Sequence, residues 1–118
     1  MTGFDVSLAG AGHFGRAEPH AIWVGVEMSE ELKRLYKYCR RAARYSKIEM
    51  ESRVYTPHVT LAYLKPNPNI ARITAFEKRL AEFKLKPFLV DEFFLISSWK
   101  RKTGSNLYRV EASYPLLG

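Results

Sequence analysis

The sequence predicts an α+β fold, an antiparallel sheet with two main helices, in the order β-β-α-β-α-β-β with a break in the late strands near Asp91. Three observations predict it. Several segments alternate apolar and polar residues with period two, and two others place apolar residues at helical spacing behind a capping residue. The connections between them are too short for most strands to be joined by parallel crossovers. At 118 residues the chain suits one domain, able to bury roughly two-thirds of the surface its unfolded form exposes, and no linker or repeat divides it.

Phe4, Val6 and Leu8 alternate with Asp5 and Ser7, giving a short first strand one apolar face. Gly10, Gly12 and Gly15 then match the letters of a dinucleotide-binding fingerprint. That fingerprint needs a helix to begin at the glycines, whereas Arg16 to Pro19 leads into a second apolar strand, residues 21–26. The glycines read instead as a long hairpin loop, with His13 a solvated residue within it.

Ser29 is a good helix N-cap, and Glu30 and Glu31 suit the positive end of the helix dipole. Leu32, Leu35, Tyr36, Cys39 and Ala43 form the packing face; Cys39 reads as a small buried hydrophobe. Lys33, Lys37, Arg40, Arg41 and Arg44 form a solvated face, whose late cations complement the C-terminal dipole, or an RNA-binding stripe.

Residues 46–56 are polar and of mixed charge, a loop leading to a strand that starts at about His58, because Pro57 disfavours helix before it and the following run is β-branched and apolar. A turn over residues 65–69 offers Asn67 or Asn69 as the next cap. The second helix packs through Ile70, Ile73, Phe76, Leu80 and Phe83, with Pro87 ending it. Residues 88–90 and 93–98 read as strand. A turn containing Gly104 leads to a last strand with Tyr108, Val110, Ala112 and Tyr114 on one face.

Composition bounds the function. With 47% hydrophobic and 14% aromatic residues the chain is globular, and no segment has the apolar length of a membrane span. Cys39 is the single cysteine, which excludes an internal disulfide and a cysteine-based zinc site. With no secretory signal visible, a reducing cytoplasm fits best. The net charge of +7 favours polyanionic partners without selecting one.

Chemistry concentrates at Tyr55-Thr56-Pro57-His58-Val59-Thr60-Leu61-Ala62-Tyr63. In a regular strand His58, Thr60 and Ala62 share one face, and Val59, Leu61 and Tyr63 the other. Alone, the motif suits equally a half-buried strand whose imidazole faces solvent. In context, the glycine block 10–15, the strand 21–26, the run from Arg53 to Ala62, and Phe94 to Ser98 followed by Tyr108 and Tyr114-Pro115-Leu116 make the chain resemble the two-histidine phosphoesterase superfamily, specifically the LigT-like RNA 2',3'-cyclic phosphodiesterases of the 2'-5' RNA ligase family. These blocks keep the family's order, and the run containing His58-Val59-Thr60 matches its second His-x-Thr motif.

The resemblance implies a LigT-like domain over residues 1–118, the C-terminal portion of the family fold and incomplete at the N-terminus. The family's first His-x-Thr motif is absent, since Phe14-Gly15 follows His13 and Ala21-Ile22 follows His20. Tyr63 stands where the family's RNA enzymes often have Arg, with Lys65 and Arg53 as substitutes for a phosphate-contacting cation. The implied activity is metal-independent hydrolysis of an RNA or nucleotide 2',3'-cyclic phosphate to a 2'-phosphate, together with 2'-5' RNA joining. No cofactor is implied. His58 would move the proton and Thr60 would hold a phosphate oxygen, with Tyr55, Tyr63, Lys65 and Trp99 as substrate-binding residues. Three accounts of the missing motif stay open: a fragment of a longer enzyme, a homo-oligomer borrowing a histidine from another copy, or a domain that binds RNA ends without cutting them.

Overall fold

The computed structural model describes residues 1–117, which fold as two compact units, one of residues 6–87 and one of residues 1–5 with the chain from Phe88 onward. In chain order the elements are β1 (Phe4–Val6), β2 (Leu8–Phe14), β3 (Ala21–Val26), α1 (Glu30–Tyr45), β4 (His58–Tyr63), α2 (Ile70–Arg79), β5 (Phe88–Val90), β6 (Glu92–Trp99) and β7 (Leu107–Pro115). Two helices and antiparallel pairings make this the α+β fold that the sequence predicts, consistent with the LigT-like arrangement.

The larger unit is built on the sheet β2-β3-β4, antiparallel throughout. Gly10 and Gly12 lie in strand and not loop, with Gly15 alone in the connection that follows: Gly10 takes φ +69 at a register shift between Leu8 and Ala11, and β2 then runs on to Phe14. Such a conformation is open to glycine and costly for other residues, so a bulge fits there. The bulge bends β2 toward the segment after α2, where Gly10 N–H donates to Phe83 O at 3.0 Å and Leu85 N–H to Leu8 O at 3.0 Å. Those bonds also explain why α2 ends at Arg79 instead of continuing to Pro87, since the backbone of residues 83–85 is engaged with β2.

Both helices start where the caps place them. Ser29 Oγ accepts from Leu32 N–H at 3.1 Å, and Asn69 Oδ1 accepts from Arg72 N–H at 3.2 Å. Ala21, Val24 and Ile73 are buried apolar side chains of this unit. Leu32, Leu35, Tyr36 and Ala43 of α1 are half-buried as their spacing implies, but Cys39 is exposed, a correction to the expectation that it packs in the core. α1 buries none of its residues fully, so even the middle of this face stays open, while desolvation still pushes the Cys39 thiol pKa up.

In the other unit β1 pairs with β5, and β6 forms an antiparallel hairpin with β7. Asp91 breaks the late strands, and Leu116 N–H donates to its carbonyl at 2.7 Å. The register shifts between Leu95 and Ile96, leaving Glu111 as an extra residue on β7. Tyr108 and Val110 therefore lie on the opposite face from Ala112 and Tyr114, where strict alternation would group all four. Leu95, Ile96 and Val110 are 56%, 51% and 62% exposed.

Candidate active site

His58 opens β4 immediately after Pro57, and it pairs with Gly25 of β3; Thr60 pairs with Trp23. Residues directly opposite in an antiparallel pair share a face, so His58 and Thr60 lie together over the Trp23 side of β3. Between Ile22 and Trp23 the register shifts, which leaves Leu61 as the extra residue of β4. The phase of the strand inverts beyond it. Tyr63, opposite Ala21, joins the His58 face, and Ala62, opposite Ile22, leaves it. Alternation alone gives the reverse, so this is a correction produced by one bulge.

The result is a cavity of about 510 Å³ lined by Phe14, Gly15, His20, Ala21, Arg53, Val54, Thr56, His58, Thr60 and Tyr63. That volume lies within the range of small-molecule sites. The imidazole of His58 sits edge-on to Phe14 with ring centroids 4.7 Å apart, and 6.0 Å from Trp23; Phe14 and Trp23 are themselves 5.5 Å apart. Close approach of Trp23 requires a glycine opposite it, because a Cβ on Gly12 would meet the indole carbon Cζ2 at 2.5 Å. The sequence signal for this aromatic backing was the glycine on each side of the Trp23 position, Gly12 across the pair and Gly25 along the strand.

His58 Nδ1 lies 2.6 Å from Thr56 O. A carbonyl oxygen can only accept, so Nδ1 carries the hydrogen and donates it, and Nε2 is left as the nitrogen that exchanges protons with a ligand. The bond also fixes the ring plane. Arg53 brings a cation to the same cavity; its contact with Glu51 at 3.6 Å is between two exposed side chains, the kind of pair that holds a guanidinium weakly.

His13 and His20 part company here. His13 pairs with Ile22, on the face opposite His58, and its Nδ1 meets Glu77 Oε1 of α2, so it fastens a helix to the sheet. His20 lines the cavity. The loop that carries it is tied at three points: His20 N–H donates to Phe14 O at 2.9 Å, Leu64 N–H donates to His20 O at 2.8 Å, and Asn67 N–H donates to Glu18 Oε1 at 3.0 Å. Sequence reasoning passed over His20 because it lacks a hydroxyl two residues on.

The remaining sequence-predicted residues are dispersed. Tyr55 stacks on Tyr36 of α1, centroids 4.0 Å apart and planes 2° from parallel, beside a neighbouring cavity that shares Arg53 and Val54 with the first. Desolvation, with smaller contributions from Cys39 and Tyr36, raises the Tyr55 phenol pKa. Lys65 is exposed in the turn after β4. Trp99 lies on β6 in the other unit, where its Nε1–H donates to Ser97 Oγ at 2.8 Å and Arg109 lies 5.8 Å from its ring. Among the described residues no group of three or more His, Cys, Asp or Glu is placed to hold a metal ion, and no helix is long and apolar enough to cross a membrane.

The family model of the 2'-5' RNA ligase superfamily matches residues 1–101 of the chain. The chain is similar to a protein named RNA 2',3'-cyclic phosphodiesterase from Thermotoga maritima, 29% identical over 110 residues, which cover 91% of this chain and 55% of that protein. It is also similar to a protein of the same name from Aeropyrum pernix, 28% identical over 115 residues, 93% of this chain and 65% of the relative. The chain thus spans between about half and two-thirds of the length of these relatives.

Proposed function

Because the chain belongs to the 2'-5' RNA ligase superfamily, we propose that it acts on RNA or nucleotides with a 2',3'-cyclic phosphate end, opening the ring by hydrolysis to a 2'-phosphate. The observation that carries this reading is the cavity in which His58, Thr60, Tyr63 and Arg53 meet, with His58 Nε2 left free to exchange a proton. Two relatives named as RNA 2',3'-cyclic phosphodiesterases support the same reaction.

In that reaction water attacks phosphorus, the bond from phosphorus to O3' breaks, and the products are a 2'-phosphomonoester and a free 3'-hydroxyl. One proton leaves the water and one joins O3'. Each transfer needs a group whose pKa lies near the working pH, which suits imidazole. His58 Nε2 serves one transfer, and we assign the other to His20, the second imidazole on the cavity. Thr60 O–H donates to a non-bridging oxygen, and Arg53 balances the phosphate charge; donors fixed in place stabilise developing charge without reorganising. Tyr63 stands at the β4 end of the same face, in position to contact the ribose. None of these steps draws on a metal or cofactor. The pH dependence of kcat/KM tests the pairing: the wild-type profile is bell-shaped, and His20→Gln removes one limb. A His20→Gln profile that keeps both limbs at the wild-type rate refutes the role of His20.

With the 5'-hydroxyl of a second strand attacking phosphorus in place of water and the same bond to O3' breaking, the same groups would join two strands through a 2'-5' linkage. A second reading is favoured by the presence of one His-x-Thr pair in these 118 residues and by the exposed cations of α1, Lys33, Arg34, Lys37, Arg41 and Arg44. It is recognition of RNA ends without turnover. Such binding falls steeply with salt and survives loss of the imidazole, because phosphate contacts dominate it.

A further inference from the structure

We propose that the pocket between α1 and the 50–55 segment is a second nucleotide subsite, which takes the base of the nucleotide preceding the cyclic-phosphate end of an RNA strand. The inference rests on the reading of the His58 cavity as the cyclic-phosphate site.

The pocket has a volume of about 320 Å³ and is lined by Tyr36, Arg40, Met50, Glu51, Arg53, Val54 and Tyr55. Arg53 and Val54 also line the His58 cavity, so a two-residue stretch is the common wall of both. A strand that leaves a phosphate at His58 and crosses this wall meets the pocket next. Cations along the path favour the phosphates of a bound strand, and Arg53 lies on the wall with Arg40 in the pocket itself.

The lining suits a base. Tyr36 and Tyr55 stack with planes 2° apart, and Arg40 lies 5.6 Å from the centroid of the Tyr36 ring. Arg40 Nη1 donates to Tyr36 Oη at 3.2 Å and to Glu51 O at 3.3 Å, which pins the guanidinium to both walls before any ligand arrives. Val54 and Met50 expose apolar surface at the same place, Val54 to 87%. Preformed aromatic and guanidinium planes beside solvent-exposed apolar groups are what unstacked RNA bases bind, and they do so with little sequence preference because every base has a π-face. The stack also anchors the 46–57 loop to α1. That structural role explains the stack but not the 87% exposure of Val54 on the wall shared with the His58 cavity.

The test compares equilibrium affinities for adenosine 2',3'-cyclic monophosphate and for the diadenosine dinucleotide ending in a 2',3'-cyclic phosphate, at fixed low salt. The wild-type chain binds the dinucleotide more tightly, by roughly 5- to 150-fold, the contribution of one stacked base. Arg40→Gln and, separately, Tyr36→Leu bring the dinucleotide down toward the mononucleotide and leave mononucleotide affinity within about twofold. Arg40→Gln keeps both rings of the stacked pair and loses only the guanidinium with its bonds to Tyr36 Oη and Glu51 O, so it stands if Tyr36→Leu unfolds. Equal wild-type affinities, or a preference that both variants keep, overturn the subsite while the His58 cavity stands. Failure to bind the mononucleotide at all overturns the cavity reading and the subsite with it.

Discussion

Replacing Gly12 with alanine probes the packing behind His58 from a position that is not in the cavity. The added Cβ would meet Trp23 Cζ2 at 2.5 Å and Cζ3 at 3.0 Å, so the indole must move. Gly12 is not among the positive-φ glycines, so alanine suits its backbone and gains about 0.4–1 kcal/mol by restricting the unfolded chain. Overpacking of this kind costs about 1–3 kcal/mol, which leaves a net destabilisation of about 0–2.6 kcal/mol. For a chain of this size that is a fall in Tm of up to roughly 10 °C. Because Trp23 lies 6.0 Å from the His58 ring, catalysis should fall as well. Thermal unfolding followed by circular dichroism, with tryptophan emission recorded alongside, reads both the stability and the displaced indole. Gly25→Ala should cost more, since its Cβ would meet the carbonyl oxygen of Ala9 at 2.6 Å, a backbone atom that cannot turn aside. A Gly12→Ala chain melting within about a degree of wild type, with unchanged emission, refutes the packing argument.

Thr60→Val should keep the fold and lower turnover by at most about 2.7–4 kcal/mol of barrier, the scale of one oxyanion donor, measured as kcat/KM on a cyclic nucleotide. Ser29→Ala should cost about 1 kcal/mol by removing the acceptor of Leu32 N–H, read as a lower melting midpoint of the helical signal. Stability should fall at alkaline pH. Cys39 and Tyr55 both hold their protons more tightly in the folded chain than at their ordinary values of 9.0 and 10.0. Their contribution is complete below about pH 9 and is lost as pH rises past those values, so the double variant Cys39→Ala, Tyr55→Phe should flatten the alkaline limb of a Tm-against-pH curve. The exposed apolar surface of β6 and β7 should drive self-association, which light scattering at increasing concentration checks; a monomer throughout the high micromolar range contradicts it.

Local signals were legible where one residue decides the structure. Pro57 set the start of β4 at His58, and Ser29 and Asn69 set the starts of the helices. Features that depend on a partner strand were not. Nothing near Leu61 or Glu111 announces a bulge, yet each inverts the phase of its strand, moving Tyr63 onto the His58 face and separating Val110 from Ala112. The early end of α2 reflects backbone bonds to β2 that helical periodicity cannot contain. The candidate site was half legible for the same reason: His58 and Thr60 are two residues apart, whereas His20 reaches the cavity only through the β2–β3 connection, and Tyr55 meets Tyr36 only through the packing of α1.

If His58 moves a proton in the opening of a 2',3'-cyclic phosphate, its loss must slow that reaction without unfolding the chain. The rate of conversion of a 2',3'-cyclic nucleotide by the wild-type chain and by His58→Ala, in EDTA, with the products separated as 2'- and 3'-phosphates, tests this role. The expected result is 2'-phosphate from the wild-type chain and a rate about 10²- to 10⁴-fold lower for the variant at an unchanged melting temperature. A folded His58→Ala chain that hydrolyses the cyclic phosphate at near the wild-type rate contradicts it.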